Sequence, residues 1–238
     1  MKICAVIHGP FITLLTVLFW TSSWSWPRGA QGAETHPIFQ PGDHIAIIGN
    51  TMADRMQHAG WLESYLHALH PRHELTFRNL GFAADQVALR QRSANFGDSD
   101  QWLKKCKADV VFCFFGYNEA ILGPSALPKF EADLVTMIRG MRSQNYNGDC
   151  PPRLVIFSPI AHENLRSRHL PDGKQNNEKL ALYTGAMRRV CDEQQVVFVD
   201  LFAPTRALYA ARTQPLTING IHLSADGNKL VAEVILRQ

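Results

Sequence analysis

An α/β domain built on a parallel sheet with helices on both faces is the fold class this chain predicts. Three observations lead there. From residue 43 short apolar runs alternate with longer amphipathic ones, five of those runs are apolar almost throughout, and segments of helical period separate them. A strand buried on both faces has no reason to alternate, so continuous apolarity is the mark of a sheet covered twice.

The elements follow in order. His44-Ile45-Ala46-Ile47-Ile48-Gly49 reads as the first buried strand, and Met52 to Leu69 as a helix with Met56, Leu62, Tyr65, Leu66 and Leu69 on its apolar side. Glu74 to Leu80 is the second strand and Asp109 to Phe115 the third, the most apolar of the set. Phe130 to Met141 is a helix, Leu154 to Ser158 a strand, Asn177 to Gln194 a helix and Val196 to Asp200 the fifth strand. Ser224 caps a last helix running to about Leu236. No repeat, low-complexity tract or linker divides this stretch, so residues 34–238 are expected to form one domain.

The first 33 residues read differently. Lys2 precedes an apolar run from Phe11 to Trp20 that is short for a bilayer span, and small residues follow at Gly29, Ala30, Gly32 and Ala33. This is the pattern of a signal peptide at 1–33. An uncleaved N-terminal anchor is the competing reading, because Trp20, Trp24 and Trp26 suit a membrane interface. Both put the domain outside the cytoplasm, periplasmic or secreted, and no later segment is apolar enough to cross a membrane.

Charge narrows the partners. A net charge of +3 with scattered lysines and arginines leaves no basic stripe, so no nucleic acid is expected. Beyond Cys4, which leaves with a signal peptide, the cysteines are Cys106, Cys113, Cys150 and Cys191. Cys113 sits inside an apolar strand and reads as a buried thiol; Cys150 and Cys191 each precede a strand, which permits a bridge between them. No CxxC pair is present, no spacing marks a metal site, and no cofactor is expected. The nearest to a ligand set is His162, Glu163, Glu119 and His222, whose spacing is not diagnostic.

In a parallel sheet of this kind functional groups collect beyond the carboxyl ends of the strands. Five segments lie there: residues 49–54, 81–85, 116–119, 158–165 and the loop before the last helix. They carry Gly49-Asn50-Thr51, Asn79-Leu80-Gly81-Phe82-Ala83-Ala84-Asp85, Gly116-Tyr117-Asn118-Glu119 and Asn219-Gly220-Ile221-His222. Taken in order these resemble the four blocks of the SGNH/GDSL hydrolases, over a stretch from Gly42 to about Leu236. The resemblance implies a flavodoxin-like three-layer sandwich with a five-stranded parallel sheet and an esterase that works through a serine, a histidine base and an oxyanion hole. It also implies an acylated carbohydrate as the substrate class, a polysaccharide or small-molecule ester.

Residue by residue, the resemblance assigns Thr51 to the nucleophile, His222 to the general base, Asn219 to the acid that orients it, and Gly81 and Asn118 to the oxyanion hole. The chemistry of each supports such a role. A backbone N–H at a glycine approaches a substrate oxygen closely, an asparagine amide donates to the same atom, and an imidazole moves protons near neutral pH. Two positions depart from the family pattern. Thr51 replaces serine, and its β-methyl restricts χ1; it reads equally as the cap of the helix that starts at Met52. Asn219 replaces aspartate, so it can accept a hydrogen bond from the imidazole but supplies no charge. Glu119, Glu163 and Asp85 are the carboxylates at strand ends that stand in reach of that role; with Asn50 and His162 they are candidate substrate-contacting or supporting residues. Tyr117, Phe82 and Trp61 are aromatic candidates for a sugar face. A literal Gly97-Asp98-Ser99 follows polar sequence without a strand, so its serine reads as a helix start rather than a nucleophile.

Two functions therefore stand: an exported ester hydrolase, possible through Thr51 or through water activated by His222, and a catalytically inactive carbohydrate-binding module that keeps the cleft.

Overall fold

A computed structural model describes residues 38–238, so the expected signal peptide at 1–33 lies outside the described residues. Five parallel strands form one sheet: β1 (His44–Gly49), β2 (Thr76–Asn79), β3 (Val110–Phe114), β4 (Arg153–Phe157) and β5 (Val197–Val199). Their order is β2-β1-β3-β4-β5. The chain thus runs outward from β1 in one direction to β2, then returns and builds the rest of the sheet on the other side. The loops leaving β1 and β3 diverge at that reversal and open a crevice between them.

The period-2 geometry of a strand divides the apolar residues into two cores. Ala46, Ile48, Val111, Cys113 and Ile156 face α5 (Leu127–Arg142) and α6 (Lys174–Gln194). Ile45, Ile47, Phe112, Phe114 and Phe157 face α1 (Thr51–Met56), α2 (Trp61–Leu69) and α8 (Ala225–Leu236). Both faces of every central strand are covered, which is why those strands carry no polar alternation.

The expected single helix from Met52 to Leu69 is two helices, because Gly60 adopts φ +64° and caps α2 after α1 has ended at Met56. The second strand is shorter than Glu74–Leu80; Glu74 has φ +50°, outside strand geometry. Three further helices are present: α3 (Ser99–Lys105), α4 (Tyr117–Ala120) and α7 (Phe202–Ala211). Pro204 lies in the first turn of α7, where its missing N–H breaks no helical bond. Asp98 caps α3 in a reciprocal capping box with Gln101, and the Ser99 hydroxyl accepts from Arg90 at 2.8 Å, so this serine is part of a helix start. Cys191 is a free thiol buried in α6, and the bridge between Cys150 and Cys191 is not formed. Cys113 is the buried thiol its strand implied, its pKa pushed up to about 12 by burial. Among the described residues no helix is long and apolar enough to cross a membrane.

Candidate active site

The turn after β1 begins with a close approach. A Cβ on Gly49 would lie 2.2 Å from the carbonyl oxygen of Phe114, so only glycine lets β1 leave the sheet here. Asn50 follows, buried, and its side chain accepts from the Met52 N–H at 3.0 Å. Asn50 is therefore the cap of α1, and the reading of Thr51 as that cap is corrected. Thr51 is the first helical residue, its N–H without a partner inside the helix. Its hydroxyl oxygen accepts one long bond, 3.4 Å, from the Ala84 N–H, which leaves the hydroxyl proton uncommitted.

Thr51 lines a cavity of about 210 Å³ together with Tyr117, Asn118, Ile160 and His222. The hydroxyl, one amide donor and the imidazole thus share a pocket at the β1/β3 reversal. Among the described residues no hydrogen bond yet joins Thr51 to His222.

Asn118 stands in the first turn of α4, whose start is set by Gly116 at φ +96°. One N–H of its amide is donated to the Asp85 carbonyl at 3.0 Å, which fixes the group and leaves the second N–H for a ligand. Gly81 is placed differently from its expected role. Its N–H is donated to Asn79 Oδ1 at 2.9 Å, and a Cβ there would lie 2.6 Å from the Asp54 nitrogen. The glycine is needed for packing against α1. It lines a second groove, of about 1050 Å³, with Phe82, Asp85 and Arg92; the Asn118–Asp85 bond links the walls of the two.

His222 is presented by an Asx turn. Asn219 Oδ1 accepts from the backbone N–H groups of Ile221 at 3.2 Å and His222 at 3.0 Å, which fixes the amide. His222 Nδ1 then lies 3.1 Å from Asn219 Oδ1 and 3.0 Å from Nδ2. An Nδ1–H can donate to the oxygen, or a bare Nδ1 can accept from the NH₂, so the amide does not select one tautomer as a carboxylate would. Burial holds the imidazole below its usual pKa, and the Arg55 guanidinium lowers it further. Both effects favour the neutral imidazole, the form a base needs.

None of the three carboxylates considered as a substitute acid reaches His222. Asp85 is buried and paired with Arg92 through two bonds of 2.7 Å. Glu119 accepts from the N–H groups of Val87 at 2.8 Å and Gly116 at 2.9 Å, and burial raises its pKa. Glu163 accepts from Leu216 and Thr217 backbone N–H groups and from the Thr217 hydroxyl, the last at 2.6 Å. Thr217 in turn accepts from the Gly220 N–H at 2.9 Å. Each expected acid is a loop fastener: Arg92 claims Asp85, and backbone donors claim Glu119 and Glu163. Sequence inspection did not identify that function; the signal was present only as carboxylates beside glycine-bearing turns.

His162 is buried beside the cavity rather than lining it. Its Nδ1 lies 3.1 Å from Asn176 Nδ2 and 3.5 Å from the Tyr117 hydroxyl, so it supports a residue that does line it. Phe82 lies in the second groove beneath Arg92, and Trp61 packs at a tilt against Tyr65 and lines neither space. Among the described residues no group of three or more histidine, cysteine, aspartate or glutamate side chains is arranged to hold a metal ion.

Comparison with known proteins gives a consistent picture. Residues 42–230 match the GDSL-like Lipase/Acylhydrolase family. The chain is 30% identical over 136 residues to the GDSL esterase/lipase WDL1 of Oryza sativa subsp. japonica, covering 54% of this chain and 52% of that protein. The chain thus spans about half the length of the curated relative it matches. Among solved structures it resembles LAE5, an alpha/beta hydrolase from the metagenome of Lake Arreo, with TM-score 0.63, 18% identity and coverage of 84% and 96% of the two chains. It also resembles an acetylxylan esterase of Geobacillus stearothermophilus, Axe2, with TM-score 0.62, 16% identity and coverage of 84% and 95%.

Proposed function

Because the chain belongs to the GDSL-like lipase/acylhydrolase family, a family of ester hydrolases, we propose that Thr51 is its nucleophile and His222 its general base. The observation that carries this reading is the shared cavity: Thr51, Asn118 and His222, distant in sequence, line the same 210 Å³ space. His222 Nδ1 is occupied by Asn219, which leaves Nε2 to take the Thr51 hydroxyl proton. The alkoxide attacks the acyl carbon. The carbonyl oxygen takes up the negative charge and is met by the free N–H of Asn118 and the Thr51 backbone N–H. The imidazolium returns its proton to the leaving alcohol, and water repeats the sequence on the acyl-threonine. An oxyanion donor of this kind contributes about 2.7–4 kcal/mol.

The substrate class we propose is an acylated carbohydrate. Support comes from the resemblance of fold to the Axe2 acetylxylan esterase, whose serine, aspartate and histidine variants are described as catalytic mutants. We further propose that the protein acts outside the cytoplasm, on the strength of the N-terminal pattern in residues 1–33. A non-catalytic carbohydrate-binding module is the second reading. Asn219 favours it, since the amide gives the imidazolium no charge to rest against.

Turnover of p-nitrophenyl acetate and acetylated xylo-oligosaccharides by the parent protein and by Thr51→Ala and His222→Ala separates these readings. Loss of at least about a thousandfold in both variants is expected for a covalent ester hydrolase. Loss in the His222 variant alone means water is the nucleophile. No turnover by the parent, with measurable oligosaccharide binding, means a binding module.

A further inference from the structure

The cavity that joins Thr51 to His222 carries charge of one sign. Arg55 lies one helical turn beyond Thr51 on α1, on the same side of the helix, and lines the cavity. Among the described residues no aspartate or glutamate lines it. Other arginines have found acids: Arg92 holds Asp85, Arg153 holds Asp43, Arg188 holds Asp200 and Arg189 holds Glu131. The Arg55 guanidinium has no ion-pair or hydrogen-bond partner among the described residues. Its sequence neighbour Asp54 accepts from Gln57 Nε2 at 3.0 Å and stands outside the cavity lining.

This imbalance bears on the reaction. Hydrolysis through His222 creates an imidazolium, which a carboxylate at position 219 would stabilise. Asn219 supplies none, and Arg55 adds a like charge close enough to push the imidazole's pKa down after burial has done so. The site is short of negative charge at the moment it needs it. A substrate is the remaining source.

We propose that the cavity is built for an ester that carries a carboxylate, which pairs with the Arg55 guanidinium while the ester carbonyl faces Thr51 and Asn118. The carboxylate offsets Arg55, offers a bidentate partner for its planar fork, and restores to the loaded site the negative charge absent from Asn219. The carboxylate belongs either to an acidic sugar bearing the acyl group or to the acyl group itself. This inference rests on the Thr51–His222 reading but fails separately from it.

The test compares matched acids and amides. One pair is an O-acetylated methyl glucuronoside and its carboxamide; the other is mono-p-nitrophenyl succinate and the p-nitrophenyl ester of succinamic acid. In at least one pair the parent protein is expected to prefer the acid by about tenfold or more in kcat/KM, and added salt should erode that preference. The pair that shows the preference identifies where the carboxylate sits. Arg55→Gln should bring the ratio close to one, and Arg55→Lys should keep most of it. A ratio near one in both pairs for the parent, or a preference untouched by Arg55→Gln, overturns the proposal. If the parent hydrolyses none of these esters, the hydrolase reading has failed and the same ratio is read from calorimetric binding of methyl glucuronoside and its amide. A preference lost in Arg55→Gln then supports the carboxylate site, and equal binding overturns it.

Discussion

Glu119 and Glu163 fasten two rims of one cavity by the same device, a buried carboxylate that accepts from loop N–H groups, but the two rims differ in what they present. On the Glu119 rim the fastener ties Gly116 to Val87, and Asn118 stands between them with an amide hydrogen to spare. That rim keeps the donor on which the proposed ester chemistry draws. On the Glu163 rim the carboxylate gathers Leu216 and Thr217, Thr217 holds Gly220, and the turn delivers His222 to the cavity with an uncharged partner. The difference teaches that positioning and charge are separable. The second rim keeps the geometry of a base and lacks the electrostatics.

Four changes break or sharpen this contrast, the largest first. Asn118→Ala should remove the spare donor and cost about 10²–10³ in kcat with little change in thermal stability, as measured by steady-state turnover and calorimetry. Glu163→Ala leaves two backbone N–H groups and a hydroxyl unpaired in a buried place. It should destabilise the protein by about 3 kcal/mol in denaturant unfolding and take activity with it.

Asn219→Asp should act in the opposite direction. A carboxylate 3.1 Å from Nδ1 selects the Nδ1–H tautomer and stabilises the imidazolium, and a gain of at least about tenfold in kcat/KM is expected of the roughly ten-thousandfold that separates acid from amide in a serine protease. The pH profile moves as well. Burial and Arg55 hold His222 below its ordinary value, so the parent's acidic limb falls below pH 6.5; the added negative charge should carry that limb upward.

Glu119→Gln is the mildest change, about 1 kcal/mol, because the amide keeps one acceptor oxygen. Its mark is in pH dependence. The folded-state pKa of Glu119 is raised by burial, so its contribution is full below the unfolded value near 4.5 and is lost as pH rises through the folded value. The parent's stability should carry that decline with rising pH, and the glutamine variant should not.

The fold was legible because the central strands β1, β3 and β4 are apolar on both faces, the mark of a parallel sheet covered twice by helices. The lining of the cavity was legible in part for the same reason: the sheet's carboxyl edge selects where Thr51, Asn118 and His222 stand. What sequence did not reveal was the bonding of individual polar groups. Asn50 and Thr51 are adjacent residues of cap type, and the choice of Asn50 depends on backbone angles. Asp85, Glu119 and Glu163 look alike as candidate acids, but each is settled by the nearest unpaired donor, an arginine or a loop N–H, that no spacing rule reveals. Gly81 was read as open backbone near the substrate, whereas its N–H answers to Asn79 and its missing Cβ makes room for α1.

The strand order has a consequence for how activity arrives during refolding. β1 brings the hydroxyl near the start of the described chain, β3 brings the amide, and the imidazole comes only with the loop ahead of α8, the last element. Contacts of such long sequence separation form late. A burst of helical signal should therefore precede any ester turnover, and a chain cut ahead of Asn219 would lose the imidazole together with the core residues Val231, Ala232 and Ile235 of α8.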